Sequence, residues 1–112
     1  MLTSFSRSQS FIKDVLKCDK GFIMEIEVPG VRKEDLSLKC AEGCIEVEAK
    51  KVAPKYPGYE RVVEEREFET FKGIYKLPAD INCEGIEASL DNGVLTVKLP
   101  RTVIPKINIK VN

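Results

Sequence analysis

Apolar residues recur at every second position through most of this chain. Phe22, Met24, Ile26 and Val28 alternate with Ile23, Glu25 and Glu27 before Pro29-Gly30. Leu36, Leu38 and Cys40 alternate with Ser37 and Lys39. Past Ala41-Glu42-Gly43, the residues Ile45, Val47 and Ala49 alternate with Glu46 and Glu48. A period of two sends successive side chains to opposite faces of an extended chain, so each stretch predicts a strand with one apolar face. Phe71, Gly73, Tyr75 and Leu77 make another such face, closed by Pro78. Ile86, Ala88 and Leu90 lead into Asn92-Gly93, and Leu95, Val97 and Leu99 lead out to Pro100. Asn-Gly suits a type I′ hairpin turn, whose two central residues both need positive φ. A weaker strand covers Phe11 to Leu16, followed by a turn at Asp19-Lys20-Gly21.

Seven or eight short strands with turn signals every 8–12 residues or so predict an all-β fold, a two-sheet antiparallel β-sandwich. Each sheet then hides its apolar face against the other. Three segments fall outside this frame. Residues 1–10 are serine-rich and predict a short flexible arm, and residues 11–101 form the domain. Residues 50–62 carry Pro54, Pro57 and Gly58 and make a long connection for a compact sandwich. Residues 102–112 form a polar tail containing Ile104, Ile107, Ile109 and Val111.

The chain has 112 residues, the size of one domain with one core. Its 18 basic and 18 acidic side chains cancel. Zero net charge gives no electrostatic support for nucleic-acid or membrane partners, and weak colloidal repulsion favours self-association. There is no apolar run of transmembrane length and no secretory pattern, which predicts a cytoplasmic protein. Histidine is absent. That removes the commonest general base and metal ligand together. Phosphate-binding glycine motifs are missing as well. The run Glu64-Glu65-Arg66-Glu67 with Glu69 has no second cluster to converge with and reads as a solvated strand face. The expectation is therefore no enzyme, no cofactor, no metal and no catalytic residues.

Four cysteines stand at 18, 40, 44 and 83. Cys40 continues the inward set Leu36 and Leu38, whereas Cys44 shares its parity with outward Glu46 and Glu48. Opposite faces argue against a bond between these two. All four thiols are expected to be reduced and structural, since buried free cysteine behaves as a small hydrophobe.

What remains is geometry. A sandwich has open sheet edges, and an edge is a template for strand addition. Ile107-Asn108-Ile109 places two isoleucines on one side of an extended peptide, suited to adjacent pockets along such an edge. The same spacing also fits a last strand of the chain's own domain.

In order along the chain, several blocks resemble the small heat-shock proteins, the alpha-crystallin-domain family. They are Glu27-Val28-Pro29-Gly30-Val31 with Lys33-Glu34-Asp35-Leu36; Ile45-Glu46-Val47; Gly58-Tyr59 with Arg61; Phe68 and Phe71; Tyr75-Lys76-Leu77-Pro78; and Asn92-Gly93-Val94-Leu95-Thr96-Val97. The tail Ile107-Asn108-Ile109 sits where that family carries its I-x-I motif. The resemblance implies an immunoglobulin-like sandwich that forms homodimers and higher homo-oligomers and holds non-native client proteins without ATP. It implies that Ile107 and Ile109 dock in an edge groove of a neighbouring copy, lined here by Leu38, Cys40, Ala88 and Leu90. It also implies that the connection at 50–62 is swapped. Tyr59, Arg61, Val62 and Val63 would then pair with the first strand of the partner, which includes Ile12 and Val15.

Two departures are visible. The family usually has arginine two residues after the second phenylalanine, where this chain has Gly73, so any salt bridge of that arginine does not carry over. The leading arm is also shorter than the family's usual one, which predicts small oligomers and weak client holding. A coat or scaffold protein of the same fold without client holding is the alternative. A monomeric co-chaperone adaptor fits less well, because such adaptors lack the I-x-I tail.

Overall fold

A computed structural model describes residues 11–41, 43–78, 80–102 and 108–112. Among these residues seven strands follow one another: β1 (Lys13–Cys18), β2 (Gly21–Glu27), β3 (Leu36–Ala41), β4 (Cys44–Lys50), β5 (Thr70–Lys76), β6 (Glu87–Asp91) and β7 (Val94–Pro100). They pair antiparallel in two sheets, ordered β1-β2-β7-β6 and β3-β4-β5. The result is the immunoglobulin-like β-sandwich. Register puts the alternating apolar residues in rows, such as Met24 opposite Val97 and Ile26 opposite Leu95. Met24, Ile26, Val47, Ala49, Tyr75 and Val97 are wholly buried between the sheets. Removing each larger side chain from water contributes about 1.5–3 kcal/mol. The intervening Glu25, Glu27 and Lys98 stay exposed on the outer faces, as a period of two requires.

The β6–β7 hairpin turns at Asn92 (φ 49°) and Gly93 (φ 75°), both in the left-handed region that a type I′ turn demands. Val28 N–H donates to the Gly93 carbonyl at 2.8 Å, which seats this turn against the end of β2. β1 begins two residues later than the alternation suggests. Its pairing with β2 runs on to Cys18 opposite Gly21, which leaves Asp19-Lys20 as the hairpin loop.

The connection between β4 and β5 spans 51–69, longer than the expected 50–62. The run Glu64-Glu65-Arg66-Glu67 therefore lies in a loop and not on a strand face. It has no alternating apolar partners to draw it onto a sheet. Its base is closed by Lys51 N–H donating to the Glu69 carbonyl at 3.1 Å. Its tip is a turn through Tyr56-Pro57-Gly58-Tyr59, with Tyr59 N–H donating to the Tyr56 carbonyl at 3.1 Å and Gly58 at φ 84°. Proline second and a positive-φ glycine third are the signature of a type II turn.

The expectation of four reduced thiols is overturned at two of them. Cys40 and Cys83 form a disulfide with Cα atoms 5.9 Å apart, while Cys18 and Cys44 are free. Cys83 opens a short 3-10 turn, Cys83–Gly85, outside any alternating run, so parity does not place it. The turn is set by Asn82, whose side-chain oxygen accepts the Glu84 N–H at 3.1 Å. Cys44 points to the opposite face of its hairpin from Cys40, as the alternation predicts.

Candidate functional site

The two sheets differ in width, and the sandwich has two flanks of different character. On one flank the edge strands β1 and β5 lie together. Lys13 Nζ stands 5.0 Å from the centre of the Tyr75 ring, within cation–π range. Gly73 is buried beneath that ring. A Cβ at position 73 would meet Tyr75 Cζ at 2.8 Å and Phe11 Cδ2 at 3.0 Å, so a side chain there would displace an aromatic ring. A side chain as large as arginine has no room in this packing. Phe71, Val28, Val31 and Phe11 line a small cavity of about 190 Å³ beside the base of the 51–69 arm.

Among the described residues β1 is also the free edge of its sheet, paired only with β2. Ile12 is exposed, and Val15 turns inward and packs against the core. An added strand here would bind through the β1 backbone and through outward side chains such as Ile12 and Leu16, not through Val15.

The arm shows the complementary character. Tyr59 is 85% exposed, Val62 87% and Val63 73%. The arm nevertheless carries internal structure. Arg61 donates to the Pro54 carbonyl at 2.8 Å, and the Arg61 and Arg66 guanidiniums stand 5.5 and 4.8 Å from the centre of the Phe68 ring. Arg61 thus holds the arm to itself, while Tyr59, Val62 and Val63 face solvent.

On the other flank, the edge strands β3 and β6 belong to different sheets. Between them lies a shallow groove of about 360 Å³ lined by Leu38, Cys40, Ile45, Cys83, Ile86 and Ala88, with Lys39 and Glu84 at its rim. Three of the four residues expected there, Leu38, Cys40 and Ala88, are brought together. Leu90 lies further along β6, half-buried against the core, and is not in the lining. Cys83 was not foreseen in this groove. Ile86 belongs to the same alternating row as Ala88 and could have been included on parity. Of the tail, Ile109 is 85% exposed and in no strand, and Ile107 lies outside the described residues.

Charge plays a minor part. On the outer face of the three-stranded sheet, Lys72 Nζ sits 3.0 Å from Glu46 Oε1. That hydrogen bond, together with the Glu46 charge, raises the Lys72 pKa above its ordinary value. Among the described residues no group of three or more histidine, cysteine or carboxylate side chains could hold a metal ion. Among them, too, no helix is long and apolar enough to cross a membrane. What the described residues present is backbone edges, apolar pockets and one disulfide.

A family model described as the Hsp20/alpha crystallin family matches residues 14–112, from β1 to the end of the chain. The chain belongs to this family. Among its relatives is the 16.9 kDa class I heat shock protein 1 of Triticum aestivum, 30% identical over 92 residues that cover 79% of this chain and 60% of the wheat protein. Another is the 26.5 kDa mitochondrial heat shock protein of Arabidopsis thaliana, 35% identical over 98 residues that cover 82% of this chain and 41% of that one. Among solved structures, HSP18.5 from E. histolytica superposes with a TM-score of 0.72 at 25% identity, covering 90% of this chain and 97% of that chain. The matches therefore span at most about 60% of the length of these two relatives. Small heat-shock proteins built on the alpha-crystallin sandwich are thus its kin.

Proposed function

We propose that this chain is an ATP-independent holdase, a non-enzymatic cytoplasmic chaperone that captures unfolding proteins and works as a homodimer assembled into larger homo-oligomers. One observation carries the reading: the chain exposes both halves of two unfilled contacts. The arm presents Tyr59, Val62 and Val63 to solvent while β1 keeps a free edge. The tail presents Ile109 while an apolar groove lies open between β3 and β6. Contacts that a single copy leaves unmade are natural contacts between copies, and a groove that accepts an extended apolar peptide also accepts exposed segments of clients.

In this scheme Tyr59, Arg61, Val62 and Val63 of one copy lie along the β1 segment of another, with Ile12 at the contact and Val15 supporting it from the core. Ile107 and Ile109 enter the groove of a third, near Leu38, Cys40 and Ala88, with Leu90 beyond. The domain spans 11–101, with an arm before it and the tail from 102. Replacing Ile107 and Ile109 together by alanine is expected to reduce the native particle to dimers, measured by size exclusion with light scattering. Each lost isoleucine costs at most about 2–5 kcal/mol, the value for a packed core, and less in an open groove. An unchanged mass would refute docking between copies. Client holding is read separately, from light scattering of a heated client protein. Scattering that stays unchanged at excess chaperone would favour a scaffold of the same fold.

A further inference from the structure

We infer that the Cys40–Cys83 disulfide is a redox latch on the β3/β6 groove, closing one of its two side-chain pockets when oxidised and opening it when reduced. The inference rests on the proposed docking of a second copy's tail in that groove. Packed sheets stand about 10 Å apart, and a side chain entering between their edges uses that gap. The disulfide brings Cα atoms from the two sides to 5.9 Å at the Cys40 end. No apolar side chain passes between them there. Leu38, Ile86 and Ala88 line the rest of the same groove, beside the bonded cysteines. Side chains two apart on an extended peptide are spaced by about 6.6 Å, so a paired-isoleucine ligand needs two pockets in succession. The oxidised groove supplies one of them, and the reduced groove supplies both.

The bond is placed to be switched. Cys83 is exposed and Cys40 half-buried, so a thiolate can reach the Cys83 sulfur from solvent. The reductant is a dithiol. Its first thiolate attacks Cys83 Sγ, the protein disulfide breaks, and Cys40 leaves as a thiolate and takes up a proton. The second thiol of the reductant, as thiolate, then attacks the mixed disulfide, closing the reductant's own disulfide and releasing Cys83, which is protonated in turn. Two electrons and two protons pass from reductant to protein. Oxidised glutathione runs the exchange in reverse, leaving two reduced glutathione molecules. Cys44 faces away on the other side of its hairpin and does not compete within the domain. In a reducing compartment thiols stay reduced, so a bond that forms there is a signal of oxidation and not a permanent staple.

The test uses the full chain with Cys18→Ser and Cys44→Ser, which prevents links between copies. A fluorescent peptide of residues 102–112 is titrated onto protein held in dithiothreitol or in oxidised glutathione, with the bond state read by mass spectrometry after alkylation. Reduced protein is expected to bind at least about tenfold more tightly, the order set by one buried apolar side chain gaining its pocket. Adding Cys40→Ala and Cys83→Ala should make the affinity the same in both buffers, because no bond is left to switch. Equal affinities in the two states, with the bond confirmed in one, would overturn the latch while leaving tail docking intact. Binding in neither state would overturn docking itself and the latch with it. Failure of the bond to form in oxidised glutathione would overturn the latch alone.

Discussion

The two flanks of the sandwich solve the same problem in different ways. Each is a place where the edges of two sheets meet and the core would otherwise open to water. On the β1/β5 flank, side chains from both sheets fill the gap: the Tyr75 ring lies over Gly73, Lys13 stands against the ring and Phe11 sits beside the glycine. On the β3/β6 flank a covalent bond holds the edges at one end, and the remaining length stays a shallow groove. Packing closes a flank permanently, since it can be undone only by unfolding. A disulfide closes one conditionally, because thiol exchange reverses it without unfolding anything. The difference teaches which flank can be adjusted: the one that was left unfilled.

The largest effect is expected on the packed flank. Tyr75→Ala removes a wholly buried ring that also supports Lys13, and should destabilise the domain by about 3–5 kcal/mol in denaturant titration. A loss below about 1 kcal/mol would mean that this flank is not closed by packing at all. Next comes the stapled flank. Cys40→Ala with Cys83→Ala opens a link across 43 residues of chain and should cost about 2–4 kcal/mol relative to the oxidised protein, mostly by freeing the unfolded state. Dithiothreitol should bring the parent protein close to that variant, and should leave the variant itself unmoved. Gly73→Ala tests the packed flank from the other side. Its Cβ would crowd Tyr75 Cζ and Phe11, so overpacking of about 1–3 kcal/mol is expected, measured as a lowered thermal midpoint. Relief of that penalty in a Gly73→Ala, Phe11→Ala double variant would identify the crowding partner.

The flanks are not wholly independent. Cys40 pairs with Ile45 and Ile45 with Tyr75, so one row of the three-stranded sheet reaches from the groove to the aromatic cluster. Ile45 is buried and also lines the groove. A double-mutant cycle between Tyr75→Ala and the cysteine pair is therefore expected to depart from additivity by about 0.5 kcal/mol or more. Strict additivity would show that the row does not transmit strain.

These contrasts explain what could be read from the chain alone. All seven strands lie within a residue or two of their expected runs, because burial on one face is what holds them there and alternation is its direct record. The Asn92-Gly93 turn was legible because its positive φ angles narrow the choice of residue. Cys83 was not, since it stands in a 3-10 turn where neighbouring side chains follow no face rule, and its partner is distant in sequence. Gly73 was visible as a departure from the family, but its reason is a ring two residues away folding back over it. The extent of the arm to Glu69 was hidden because the charged run just before Phe68 reads as a solvated strand face in sequence. In three dimensions the Arg61 and Arg66 guanidiniums lie against its ring.

The smallest effect separates flanks from faces. Lys72 and Glu46 form an ion pair at 3.0 Å on the outer face of the three-stranded sheet, away from either flank. Their hydrogen bond raises the Lys72 pKa, so any stability it contributes is present below the unfolded value of about 10.5 and is lost as pH rises through the higher folded one. Exposure to solvent screens such a pair, and exposed pairs often contribute nothing measurable. Lys72→Met should therefore leave the thermal midpoint at pH 7 within experimental scatter, whatever the redox state. A clear loss at neutral pH would show that this face, and not only the two flanks, governs how the sandwich holds together. The ranking of flank over face would then have to be reversed.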